Sequence, residues 1–378
     1  MAGIYIHIPF CKKKCIYCDF YSIAAKADVV DNYIDALCKE IAMRKAELGG
    51  ETVKTVYVGG GTPSLLGHGR LLRIADALHR EFDMCGVEEF TIEVNPDDVS
   101  DEELAAFRSM GINRVSMGVQ SFIDEELKFL NRRHTADGAI EAYNTILRNG
   151  IDNVSIDLIY GIPGQTLQSW RQSVDTAMQL RPRHISCYNL SYEDGTRLSR
   201  MLENGSIAVI DDDVCVKMYE IVSDRLADCG YEHYEISNYA LPGFRSRHNS
   251  NYWNKTPYIG FGASAHSYLS GRRSYNPGNI KLYVAAINDG VTVSEIEEES
   301  IAEQYDEEVM LRLRTKDGID AGRLRSTYGE EYYAYFLNAV RGFVDSGLVE
   351  RHGDVYRLSR KGVMLSDMVI RELMYDYE

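Results

Sequence analysis

Through the first half of the chain, short runs of β-branched and other apolar residues alternate with longer stretches in which apolar side chains recur every three to four positions. Strand-length and helix-length patterns taken in turn predict repeated βα units around a parallel sheet. Six strands are expected, at residues 4–8, 55–58, 89–94, 114–118, 153–159 and 184–189. The intervening helices are expected at 29–47, 70–82, 101–110, 136–148 and 167–179. Six units followed by a different kind of sequence predict an open, partial barrel rather than a closed eight-stranded one, with its chemistry at the strand C-termini.

Beyond about Gly195 the pattern loosens into a helix at 211–228, a Tyr-rich strand near Tyr231 and a stretch punctuated by Gly, Asn and Pro to about Gly278. From Ser300 it reads helix, short helix, helix at 330–345, hairpin at 348–358 and a last helix, which predicts a small winged-helix-like α+β domain. The expected organisation is a partial barrel over 1–195, an extension over 196–299 and a C-terminal domain over 300–378.

Composition narrows the function classes. With 378 residues, 45% hydrophobic and 26% charged, the chain reads as a soluble globular protein of more than one core. No apolar run reaches the roughly 18 residues of a spanning helix, and no export signal is visible, so a cytoplasmic protein is expected, with peripheral membrane contact left open. A net charge of -16 opposes nucleic-acid binding, and acids outnumber bases in the winged-helix-like segment too.

Three of the eight cysteines are clustered, in Cys11-Lys12-Lys13-Lys14-Cys15-Ile16-Tyr17-Cys18, immediately after the first strand. Clustered cysteines in a chain of this size point to metal binding or catalysis rather than disulfides. Iron-sulfur clusters usually take four cysteines, so a three-cysteine loop implies an outside ligand on the remaining iron. Zinc would want a fourth protein ligand; no second Cys-x-x-Cys pair exists, and His7 lies mid-strand. The scattered Cys38, Cys85, Cys187, Cys215 and Cys229 are expected to be small buried residues.

Gly59-Gly60-Gly61-Thr62-Pro63 follows the second strand, where residues without side chains let the backbone approach a ligand. Glu93, Gln120 and Asp157 stand at or near three successive strand ends and could line one mouth; Arg132 adds a cation suited to a carboxylate. Each has a plainer reading, as a helix cap or a solvated charge.

The Cys-x-x-x-Cys-x-x-Cys loop resembles the signature of radical-SAM enzymes. That resemblance implies a [4Fe-4S] cluster on Cys11, Cys15 and Cys18, a free iron chelating S-adenosylmethionine, and a 5′-deoxyadenosyl radical on reductive cleavage. His7-Ile8-Pro9-Phe10-Cys11, Gly60-Gly61-Thr62-Pro63, Ser116-Met117-Gly118-Val119-Gln120 and Asp157-Leu158-Ile159-Tyr160-Gly161 are similar to segments of the oxygen-independent coproporphyrinogen III oxidase family. By position, this likeness makes Tyr5, Tyr17, Gly60, Gly61, Thr62, Glu93, Gln120, Arg132, Asp157 and Ser191 contacts to one or two S-adenosylmethionine molecules.

Two departures move the reading away from the decarboxylating oxidases. Those carry a further cysteine two positions beyond the third, where this chain has Phe20, and an extension ahead of the first strand, which here begins at Ile4. His248-Asn249-Ser250-Asn251-Tyr252-Trp253 resembles the His-Asn-x-x-Tyr-Trp motif of the family's HemW-type haem-chaperone branch. This likeness implies haem as cargo, haem-acceptor proteins, respiratory ones among them, as partners, and His248 as a haem contact, with Tyr252 and Trp253 able to pack on a macrocycle. The glycine-rich 260–267 segment offers His266 as another imidazole, or borders an adenosyl site.

Overall fold

The computed structural model describes residues 1–292 and 294–375. All six expected strands are present as β1 (Ala2–Ile8), β2 (Val53–Gly60), β3 (Glu89–Val94), β4 (Arg114–Gln120), β5 (Asn153–Tyr160) and β6 (His184–Asn189), each parallel to the next. The crossover helices Ala27–Arg44, His68–Glu81, Asp101–Ser109, Ala136–Arg148 and Leu167–Leu180 lie where helical periodicity placed them. Their apolar faces close one core with the outward faces of the strands, including Ile4, Ile6, Val56, Val115, Ile156, Leu37, Leu78 and Trp170.

The segment after β6 lengthens this sheet at both edges. Strands β7 (Glu232–Glu235) and β8 (Asn238–Ala240) join antiparallel beyond β6. A seventh parallel strand, β9 (Tyr258–Phe261), pairs with β1 and leads into antiparallel β10 (His266–Leu269), β11 (Arg272–Tyr275) and β12 (Glu295–Glu297). The twelve strands run β12-β11-β10-β9-β1-β2-β3-β4-β5-β6-β8-β7. A four-residue strand far from its partner in sequence gives no periodicity to read, which is why β9 was not anticipated.

Residues from Ser300 onward build a separate core around Tyr305, Val309, Leu324, Phe336, Val340, Tyr356 and Leu373. Helices Ile301–Leu313, Ala321–Tyr328 and Glu330–Asp345 pack on a small antiparallel sheet of β13 (Ile319–Asp320), β14 (Val349–His352) and β15 (Val355–Leu358), the winged-helix-like arrangement expected. Of the domain expected over 300–378, residues 376–378 lie outside the described residues. Among the described residues, no helix is long and apolar enough to cross a membrane.

Among the scattered cysteines Cys187 is buried and Cys38 and Cys215 are half-buried, but Cys85 and Cys229 are exposed. Both exposed residues fall just past a helix C-terminus, where the chain turns at the surface, so the expectation of burial is corrected for them.

Candidate functional site

The sheet is polar on its concave face. In β4, β5 and β6 every second residue is polar or small: Arg114, Ser116 and Gly118; Ser155 and Asp157; His184 and Ser186. Alternation places these side chains on one side of the sheet, while Val115, Met117, Val154, Ile156 and Ile185 face the helices. The concave face encloses a cavity of about 440 Å³, within the range of a single small-molecule ligand.

Cys11, Cys15 and Cys18 lie at the strand C-terminal end of this cavity, half-buried and unpaired. Their loop is closed by the Cys11 amide donating to Ile23 O (3.0 Å) and the Ile23 amide donating to Pro9 O (2.9 Å). Thr62 Oγ1 donates to Cys11 Sγ (3.5 Å), and Arg132 Nη1 to Cys15 Sγ (3.4 Å). Burial, with the other two thiols adding like-charge repulsion, pushes the Cys18 thiol up to about 11. Three thiols on one short loop at one end of the cavity, with Cys18 disfavoured as a lone anion, suit a polynuclear cationic core. Among the described residues no trio of His, Cys, Asp or Glu converges on a single ion.

The glycine segment is fixed by the strand beside it. The Gly61 amide donates to Ile8 O (2.8 Å) and the Thr62 amide to Phe10 O (2.8 Å). A Cβ on Gly61 would meet Phe10 O at 2.6 Å, and one on Gly60, at φ +110°, would meet the His7 ring at 2.6 Å. Their lack of side chains therefore serves close packing on β1 as well as exposure of backbone to a ligand.

Glu93 accepts from the Tyr57 hydroxyl (2.8 Å) and the Gly60 amide (3.0 Å), and burial pushes its carboxyl up to about 7. Burial likewise raises Asp157 to about 6. Gln120 takes φ +71° at a register shift between β4 and β5, a backbone conformation that costs a non-glycine residue and turns its side chain into the cavity. Arg132 Nη2 donates to Asn95 Oδ1 (2.6 Å) and to Gly118 O. Tyr17, Gly60, Gly61, Thr62, Glu93, Gln120, Arg132, Asp157 and Ser191 all line the cavity, as do the three cysteines.

Tyr5 and His248 do not. The Tyr5 ring stacks behind Tyr57 at 6.2 Å, and its hydroxyl bonds His7 Nδ1 (3.0 Å). His248 is fully buried in the helix Arg247–Trp253, which plugs the barrel floor. Its Nδ1 meets Thr55 Oγ1 (2.9 Å), its Nε2 meets Tyr252 Oη (3.0 Å), and burial lowers it to about 3. Glu89 takes the amides of Arg247 and His248 (2.9 Å each) at the helix's first turn. An axial haem ligand needs a free ring nitrogen and an open path, and His248 has neither, so its assignment as a haem contact is corrected. The Tyr252 ring lies edge-on to His248 and Tyr258, and neither Tyr252 nor Trp253 lines the cavity. Nor does the 260–267 segment: Arg44 donates to Gly260 O (2.8 Å) and Gly262 N to Glu40 Oε2 (2.8 Å), anchoring it as β9, while His266 is exposed at the start of β10.

Sequence reasoning missed Arg114, which is buried to 1% exposure, lines the cavity, and has no hydrogen-bond partner for its Nε among the described residues. Its charge acts on both Glu93 and Asp157, opposing the rise that burial imposes. The period-two polar pattern of β4 to β6 was the available signal. It also marks Ser116, Ser155, His184 and Ser186, all on the cavity wall.

Comparison with known proteins agrees with this geometry. Residues 5–177 match the radical SAM superfamily model, and residues 300–365 match the HemN C-terminal domain model. The chain is 35% identical to the heme chaperone HemW of Bacillus subtilis, over 98% of both chains. It is 37% identical to that of Mycobacterium tuberculosis, over 98% of this chain and 94% of the relative. Among solved structures, the coproporphyrinogen III oxidase HemN of Escherichia coli shares the fold, with a TM-score of 0.86 at 23% identity over 99% of this chain and 90% of that one. Full-length likeness at this level, on a barrel with three cysteines at its mouth, shows that the chain belongs to the HemW family within the radical SAM superfamily.

Proposed function

We propose that this protein is a haem chaperone that holds a [4Fe-4S] cluster on Cys11, Cys15 and Cys18, binds S-adenosylmethionine in the barrel cavity, and delivers haem to acceptor proteins. The single observation that carries the reading is the end-to-end identity with HemW proteins, described as heme chaperones. The cavity supports the two cofactors. When bound, the cluster would supply an electron to the sulfonium of S-adenosylmethionine. Thr62 and Arg132 point hydrogen-bond donors at two of the three thiols and so would temper the cluster's negative charge. Glu93 and Asp157 are acceptors for hydroxyl or ammonium groups, and Gln120 and Ser191 give neutral contacts on the same wall.

A second reading, an oxygen-independent coproporphyrinogen III dehydrogenase, is favoured by the fold shared with HemN. Phe20, where the oxidases carry a further cysteine, weighs against it. One anaerobic experiment on cluster-reconstituted protein separates them: haem titration followed by transfer to an apo-acceptor, then incubation of the same sample with coproporphyrinogen III. Haem uptake and transfer without vinyl-group formation supports the chaperone; vinyl formation would replace it with the dehydrogenase.

A further inference from the structure

With His248 sealed in the barrel floor, haem needs another seat. The cavity, about 440 Å³, is of a size that takes one small-molecule ligand, which leaves its open mouth as the place for a second, larger one. Two aromatic rings stand there: Phe20, 63% exposed, and Tyr188, 42% exposed, both on the cavity lining. A single exposed apolar residue is ordinary on any protein surface. Here the phenylalanine follows the cluster loop directly and shares the rim with cations. Lys13 and Lys14 line the same mouth and Lys12 is exposed beside them, in a chain whose net charge is -16. Lys14 Nζ donates to Phe20 O (3.1 Å), which ties the basic run to the aromatic one.

Two exposed aromatic rings on the lining, with Lys13 and Lys14 outnumbering the one exposed acid there, Asp19, are complementary to a flat apolar ring bearing two carboxylates. The geometry points to haem seated across the cavity mouth, its macrocycle against Phe20 and Tyr188 and its propionates toward Lys13 and Lys14. This rests on the haem-carrying function proposed above. Among the described residues, the one histidine on the cavity wall is His184, whose ring nitrogens are engaged by Ser155 Oγ and Tyr234 Oη at 2.7 Å each. The iron is therefore not histidine-ligated from the wall, and the seat is made by ring contact and charge.

The test is an anaerobic hemin titration of the full chain with its cluster assembled, so that the cluster thiolates are occupied. Phe20→Ala and Lys13→Glu are each expected to weaken haem binding about tenfold, and the Lys13→Glu effect should shrink at high salt and vanish for the dimethyl ester of haem. Iron content and thermal midpoint show that the variants are folded. His248→Ala, or His248→Gln where alanine unfolds the floor, should keep the wild-type affinity and absorption spectrum. Wild-type affinity in both rim variants, or a histidine-ligated low-spin spectrum lost on changing His248, would overturn the seat. Failure of the wild-type protein to bind haem at all would instead sink the function on which it rests.

Discussion

Glu93 offers the sharpest energetic test of the cavity, because its burial sets stability against ligand binding. Its carboxyl ionises at about 7 in the folded chain against a reference of 4.5. Between these values the folded state keeps a proton that the unfolded state has lost, so stability falls as pH rises from 4.5 to 7 and is level above. The difference corresponds to on the order of 3 kcal/mol, an upper bound because the carboxylate faces the cavity and water there screens it. Glu93→Gln removes the titration while preserving shape: the amide oxygen can accept from Gly60 N, and the Tyr57 hydroxyl can turn to accept from the amide nitrogen. In urea unfolding, the variant should match the wild type near pH 5 and exceed it by about 2 kcal/mol at pH 8. S-adenosylmethionine binding should weaken tenfold or more at pH 8, since an ionised acceptor is replaced by a neutral one. Parallel stability profiles for the two proteins from pH 5 to 8 would refute the argument.

Replacing any one of Cys11, Cys15 or Cys18 by alanine should abolish stable cluster assembly, read as loss of visible absorption and of about four irons per chain, whereas Cys85→Ala and Cys229→Ala should leave both unchanged. Gly61→Ala drives a methyl into the backbone oxygens of Phe10 and Ile8; a loss of about 1–3 kcal/mol in chemical denaturation is expected, with weaker S-adenosylmethionine binding, and an unchanged midpoint would contradict the packing role. Arg114→Met takes away the cation that holds Glu93 and Asp157 down, so the pH at which S-adenosylmethionine binding is half-maximal should move upward, with affinity recovering in alkaline buffer; an unshifted profile would remove Arg114 from the electrostatics of the site.

The cluster loop, the glycine segment and the acids at strand ends were legible because each is local: a spacing within eight residues, or a residue one step past a strand. Arg114 was harder to see, since a lone arginine opening a strand looks like a surface charge until the alternation of β4, β5 and β6 shows that their inner face is polar throughout. His248 misled for the opposite reason. Its motif is conspicuous and invites a ligand, yet beside Tyr252 within the motif the neighbours that seal it are Thr55 and Glu89, more than a hundred residues away in the chain.

By itself the sequence determined the six parallel strands, the C-terminal domain, the three thiols and part of the cavity wall, because periodicity and motif spacing are properties of neighbouring residues. Only the tertiary structure decided which polar residues meet. It set β9 beside β1, turned the His248 helix into the barrel floor, buried Arg114 with Glu93 and Asp157, and gathered Phe20, Tyr188 and the lysines at one mouth. Those outcomes depend on how the strands are ordered and packed in the sheet, which brings together side chains whose separation along the chain carries no local signal.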